Sequence, residues 1–98
     1  MIDAETGKAD VISGGHRLVV HGDNIPIDIS KSDEGVWLEK RRKGKVATAE
    51  VLRSACTEAE FIFHDDVPKG KYFVVVGSRC GKGDDFRVVR ARYEAKVV

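Results

Sequence analysis

FRVVRARYEAKV, residues 86–97, alternates without a break: Val89, Ala91, Tyr93, Ala95 and Val97 share one face of an extended chain, and Arg90, Arg92, Glu94 and Lys96 share the other. A period of two, apolar against charged, belongs to a β-strand with one face buried and one in water. The same pattern recurs upstream. Ala59, Phe61 and Phe63 alternate with Glu60, Ile62 and His64, and Leu18 and Val20 alternate with Arg17, Val19 and His21. Apolar runs separated by Gly, Asp, Asn or Pro predict strands over 8–12, 16–22, 25–29, 35–40, 45–53, 58–64, 71–79 and 86–97. That spacing is the pattern of an all-β, antiparallel sandwich of about seven to eight strands. Pro26 lacks a ladder donor, so segment 25–29 is expected at a sheet edge. Residues 46–60 also place Ala47, Val51, Leu52, Ala55 and Ala59 on one helical stripe; a strand followed by a loop is the expectation, with a short helix as the alternative.

Composition bounds the rest. A chain of 98 residues, 42% hydrophobic and 34% charged, is expected to fold as one domain over residues 1–98, excised from or C-terminal in a longer protein. No apolar run approaches the roughly 20 residues that cross a bilayer, and no basic and apolar leader opens the chain, so no membrane partner and a cytoplasmic location are expected. Net charge is +1, yet residues 1–35 carry 3 basic and 7 acidic side chains against 14 and 9 in the remainder. Charge is thus polarised along the sequence.

Catalytic and metal-binding patterns are missing. His16, His21 and His64 have no neighbouring Cys or paired carboxylates in sequence, and Cys56 and Cys80 form no zinc spacing. Two free thiols are the expectation. Gly77-Ser78-Arg79-Cys80-Gly81-Lys82-Gly83 resembles a phosphate loop only superficially, because the spacing is one residue short and a strand follows where a helix is needed. No catalytic residue, cofactor or metal is expected, and the chain reads as a binding or structural module, not an enzyme.

Three local features remain. In Val67-Pro68-Lys69-Gly70-Lys71-Tyr72, Pro68 fixes φ, Gly70 permits a positive φ, and Tyr72 can return its hydroxyl to nearby backbone, the logic of a tyrosine corner. Lys40, Arg41, Arg42, Lys43 and Lys45 crowd five cations around Gly44 at an expected hairpin tip, either a solvated turn or a nucleic-acid contact. Strand 71–79 is apolar on both faces. If Leu38, Val74 and Tyr93 face the core, then Trp37, Phe73, Val75, Arg90 and Arg92 share an outer face, which is either a docking patch or a surface whose Trp is buried or covered by cation stems.

The run Gly15-His16-Arg17-Leu18-Val19-Val20-His21-Gly22-Asp23-Asn24-Ile25, with Gly35-Val36-Trp37-Leu38, the Pro68–Tyr72 turn and Phe86-Arg87-Val88-Val89-Arg90, resembles a bacterial Ig-like domain of unknown function found C-terminal to HU/IHF-type DNA-binding domains. A weaker resemblance runs to IPT/TIG-type Ig-like domains. The resemblance implies an immunoglobulin-like sandwich, with Gly22, Pro68, Gly70 and Tyr72 in structural roles, and association with nucleoid proteins; it carries over no catalytic residue. The leading expectation is a module that docks a protein partner, or the N-terminal part of its own chain, through the outer face. The alternative is an accessory nucleic-acid-binding domain of an HU-like protein that uses the basic hairpin.

Overall fold

The computed structural model describes residues 1–22, 27, 34–40, 43–79, 86–91 and 94–98. Its strands are β1 (Ile2–Asp3), β2 (Val11–Ile12), β3 (Leu18–His21), β4 (Gly35–Lys40), β5 (Gly44–Thr48), β6 (Glu50–Ser54), β7 (Glu58–Ile62), β8 (Gly70–Arg79), β9 (Phe86–Arg90) and β10 (Ala95–Val97). They form a four-stranded sheet in the order β1-β3-β7-β6 and a six-stranded sheet in the order β2-β10-β8-β4-β5, with β9 beside β8. Neighbours are antiparallel except β2 and β10, which run parallel. No described residue is helical.

Alternation fills the space between the sheets as the sequence predicts. Leu18, Ala59, Phe61 and Phe63 from one sheet meet Val36, Leu38, Tyr72, Val74, Val76, Ala95 and Val97 from the other, and the Phe61 and Phe63 rings pack edge to face at 5.6 Å. The 86–97 strand is interrupted. Between Val75↔Arg90 and Tyr72↔Ala95, β8 advances three residues while its partner advances five, so two residues are inserted. An even insertion keeps the side-chain phase, which is why Val89, Ala95 and Val97 still point the same way.

One further expectation needs correction. Segment 45–53 is two strands: β5 pairs with β4, β6 pairs with β7, and the chain crosses between sheets at Ala49. The pair β1 and β2 does the same at the other edge, and β1 was not foreseen. The expected edge strand 25–29 lies outside the described residues except Ile27, which is buried in the core and donates its amide to Ser54 Oγ at 2.8 Å.

The turn before β8 is a tyrosine corner. Tyr72 is 1% exposed, and its hydroxyl donates to the Pro68 carbonyl at 2.7 Å. Gly70, between them, has φ 151°, a conformation that a side chain disfavours. Tyr72→Phe leaves that carbonyl without its donor and is expected to cost about 1–2 kcal/mol, read as a shift of the urea midpoint with the slope unchanged.

Candidate interaction face

Residues that face one another across a ladder share a side of the sheet, so the pairings fix the outer face of the six-stranded sheet. One row runs Thr48, Trp37, Val75, Arg90. The next runs Lys45, Glu39, Phe73. On one side of these lies Gly35, Gly77, Val88, and further along β8 lies the pair Lys71, Lys96. Val36, Leu38, Val74 and Val76 belong to the core and Trp37 and Val75 do not. Trp37, Phe73, Val75 and Arg90 therefore come together on one face; Arg92 lies outside the described residues.

That face is partly sealed. Val75 is fully buried and Trp37 is 7% exposed. The indole packs against β8 at Gly77, where an added Cβ would sit 2.6 Å from the ring and 2.8 Å from the ring of Phe86. The Lys45 ammonium covers the indole at 4.4 Å from its centroid, and the indole N–H donates to Glu39 at 2.7 Å. Glu39 also accepts from Arg90, whose guanidinium stands 5.8 Å over the Phe73 ring. The indole hydrogen bond first, then Arg90 and Lys45, hold the Glu39 carboxyl below the usual carboxylate range against the opposing effect of burial. What reaches solvent is the half-buried Phe73 ring with Lys45, Lys71, Arg90, Lys96 and Val88.

Charge on this face is mostly positive. The rows carry Lys45, Lys71, Arg90 and Lys96 against Glu39, whose carboxylate is already committed, and Glu94, two residues before Lys96, adds one exposed carboxylate. Lys71 and Lys96 stand directly opposite each other, and neither forms an ion pair among the described residues. Like charges in that arrangement repel.

The basic hairpin is less available than its sequence suggests. Lys40 lies 5.5 Å over the Tyr72 ring and Lys45 over Trp37; Lys43 is exposed, and Arg41 and Arg42 lie outside the described residues. Cys56 is a free, exposed thiol, whereas Cys80 lies outside the described residues. Gly22 donates its amide to the Thr57 carbonyl at 3.0 Å, which closes the end of β3 onto the start of β7.

One cluster escaped the sequence. Asp3, Glu5 and His16 bring their ligand atoms within 4.8 Å of one another. Asp3 is 1% exposed; one carboxylate oxygen accepts from the amides of Glu5 and Thr6 at 2.8 and 3.1 Å, and the other bonds His16 Nδ1 at 3.0 Å. These bonds tie one oxygen to the loop after β1 and the other to His16, between β2 and β3, which makes the cluster an anchor joining the two loops. A separation of thirteen residues left no pattern to read.

A four-stranded sheet facing a six-stranded one, a first strand divided between them and a tyrosine corner define an immunoglobulin-like β-sandwich. The chain belongs to the family described as "Domain of unknown function (DUF4469) with IG-like fold", whose model matches residues 1–89. Among solved structures it is similar to a protein of Bacteroides vulgatus ATCC 8482 described as a "putative bacterial DNA binding protein", at 17% identity and a TM-score of 0.80, over 99% of this chain. The chain spans 44% of that protein's length. None of the curated proteins searched matches it. No helix among the described residues is long and apolar enough to cross a membrane.

Proposed function

We propose that this domain is a non-catalytic docking module that binds an acidic protein surface, on a separate partner or on another domain of its own polypeptide, through the outer face of the six-stranded sheet. One observation carries the reading: Arg90 lies over the half-buried Phe73 ring, and on the same face Lys71 and Lys96 stand opposed and unpaired among the described residues. An acidic partner relieves that repulsion and covers the ring, while Trp37 beneath serves as a rigid floor. Isotope-labelled protein titrated with a glutamate-rich peptide is expected to shift Lys71, Phe73, Arg90 and Lys96. Lys71→Glu with Lys96→Glu is expected to weaken binding about tenfold or more without loss of fold. Shifts confined elsewhere refute the reading.

A second reading has support in the description of the Bacteroides vulgatus protein: an accessory nucleic-acid contact through Lys40–Lys45. It predicts binding to a short DNA duplex with a steep salt dependence, lost in Arg41→Glu with Arg42→Glu and kept in the Lys71 and Lys96 variant. Against it stand the Lys40 and Lys45 ammoniums, both drawn back over aromatic rings.

A further inference from the structure

The carboxylates of Asp3 and Glu5 meet the imidazole of His16 at the end of the β1–β3 ladder. That ladder pairs Asp3 with Leu18, and beyond it the Ala4 amide donates to the Arg17 carbonyl at 2.8 Å, which carries Glu5 toward His16. Main chain then fixes each of the three residues. One Asp3 oxygen takes the amides of Glu5 and Thr6, which leaves the other turned to His16 Nδ1 at 3.0 Å. Glu5 Oε2 takes the Arg17 amide at 3.2 Å and stands 3.8 Å from the same ring nitrogen. The His16 amide donates to the Ser13 carbonyl at 3.1 Å.

Two features point beyond an anchor, to a cation. The first is charge. Asp3 is 1% exposed, yet among the described residues neither its carboxylate nor that of Glu5 meets a Lys or Arg side chain. Arg17, beside His16, turns its guanidinium to Glu60 at 3.2 Å. A buried carboxylate is ordinarily matched by a cationic side chain or a metal ion. Here its neighbour is an imidazole, which is itself a metal ligand. The second feature is spacing. Zn²⁺ holds nitrogen and oxygen ligands at about 2.0–2.1 Å, so a tetrahedron sets them about 3.3 Å apart. The separations of 3.0 and 3.8 Å from His16 Nδ1 bracket that value, and all three ligand atoms lie within 4.8 Å of one another. The Glu5 side chain is 47% exposed, so a small rotation closes the remaining gap.

We propose that Asp3, Glu5 and His16 form a binding site for a first-row divalent cation of the Zn²⁺ type, with His16 Nδ1 and one oxygen from each carboxylate as ligands and water on the open side. An imidazole beside two carboxylates suits Zn²⁺ or Mn²⁺, whereas Ca²⁺ takes about six to eight oxygens and Mg²⁺ keeps most of its water. The ion takes the place of the hydrogen between Nδ1 and Asp3, and the ring proton then resides on Nε2. Asp3 keeps its two amide donors, which hold its carboxylate in the ligating orientation. The bound ion cross-links the loop after β1 to the loop between β2 and β3 and stabilises the folded chain by mass action. The site uses neither Lys71 nor Phe73, so it stands or falls independently of the docking face.

Calorimetric titration of Zn²⁺ into the full chain tests this, with Cys56 and Cys80 replaced by Ser so that thiols do not compete. One ion per chain is expected. Spectra correlating imidazole protons and nitrogens are expected to put the largest shift at His16 Nδ1, with none at His21 or His64. Glu5→Gln and His16→Ala are each expected to weaken binding about tenfold or more. Glu5→Gln, at an exposed side chain, is expected to keep the metal-free urea midpoint, so its loss of binding is not a loss of fold. Excess Zn²⁺ is expected to raise the urea midpoint of the parent chain and of neither variant, and Ca²⁺ to raise none of them. An absence of binding, shifts at His21 or His64 in place of His16, affinity that survives both substitutions, or an equal response to Ca²⁺ overturns the proposal.

Discussion

Trp37→Ala lowers the unfolding free energy by about 3–5 kcal/mol, the range for truncating a buried aromatic side chain. Trp37 is 7% exposed on the outer side of its sheet, with Gly77 beneath, Phe86 beside it and Lys45 above. Truncation empties that layer and takes the indole donor from Glu39. Trp37→Phe separates the terms, since it keeps most of the ring area and loses the N–H, and is expected to cost about 1–2 kcal/mol. The ring depends equally on what Gly77 lacks. Gly77→Ala sets a Cβ where the ring now lies, and the domain's single Trp is expected to report its displacement as a red shift in emission. A double-mutant cycle followed by circular dichroism closes the argument: Gly77→Ala is expected to cost little once Trp37 is Ala. Additive losses would sink the contact. It follows that Trp37→Ala is a poor probe of docking, because lost binding would report lost fold; the Lys71 and Lys96 variant is the cleaner instrument.

The sandwich was legible because its core strands alternate against a buried face. Ala59, Phe61 and Phe63 are all fully buried, and Ala95 and Val97 nearly so. The tyrosine corner was legible because Pro68, Gly70 and Tyr72 each have a local reason to be there. The break at Ala49 was not. β5 and β6 lie at sheet edges, most of their side chains are exposed, and alternation continues through a residue small enough for either side. Nothing in such a stretch records which sheet it pairs with. The outer face shows the same limit. Period alone puts Trp37, Phe73, Val75 and Arg90 on one side, but Lys45 reaches the indole only because the β4–β5 register shifts between Leu38 and Glu39. Without that register, a Trp serving as floor and a Trp exposed as an anchor look alike.

The second large effect belongs to Asp3. Asp3→Ala empties a buried position and leaves the amides of Glu5 and Thr6 without their acceptor and the exposed His16 without its partner, and is expected to cost about 1–3 kcal/mol at neutral pH. The effect is tied to ionisation. Burial alone raises the Asp3 carboxyl; the Glu5 amide, the His16 imidazole and the Thr6 amide together outweigh it and hold the group below the ordinary value. A carboxyl depressed in the folded state binds its proton more readily once unfolded. Its contribution is therefore complete above the unfolded value of about 3.9 and fades as pH falls through the lower, folded value. Urea midpoints measured from pH 7 down to pH 2 are expected to show the wild type losing its advantage over Asp3→Ala below about pH 4. Asp3→Asn keeps an acceptor oxygen for the two amides and gives up the charge, so its loss at neutral pH is expected to be smaller and its acid limb equally flat. A gap between wild type and Asp3→Ala that is constant with pH would mean that this carboxyl titrates alike in the folded and unfolded chains, and the loop after β1 would then draw nothing from the charge of Asp3.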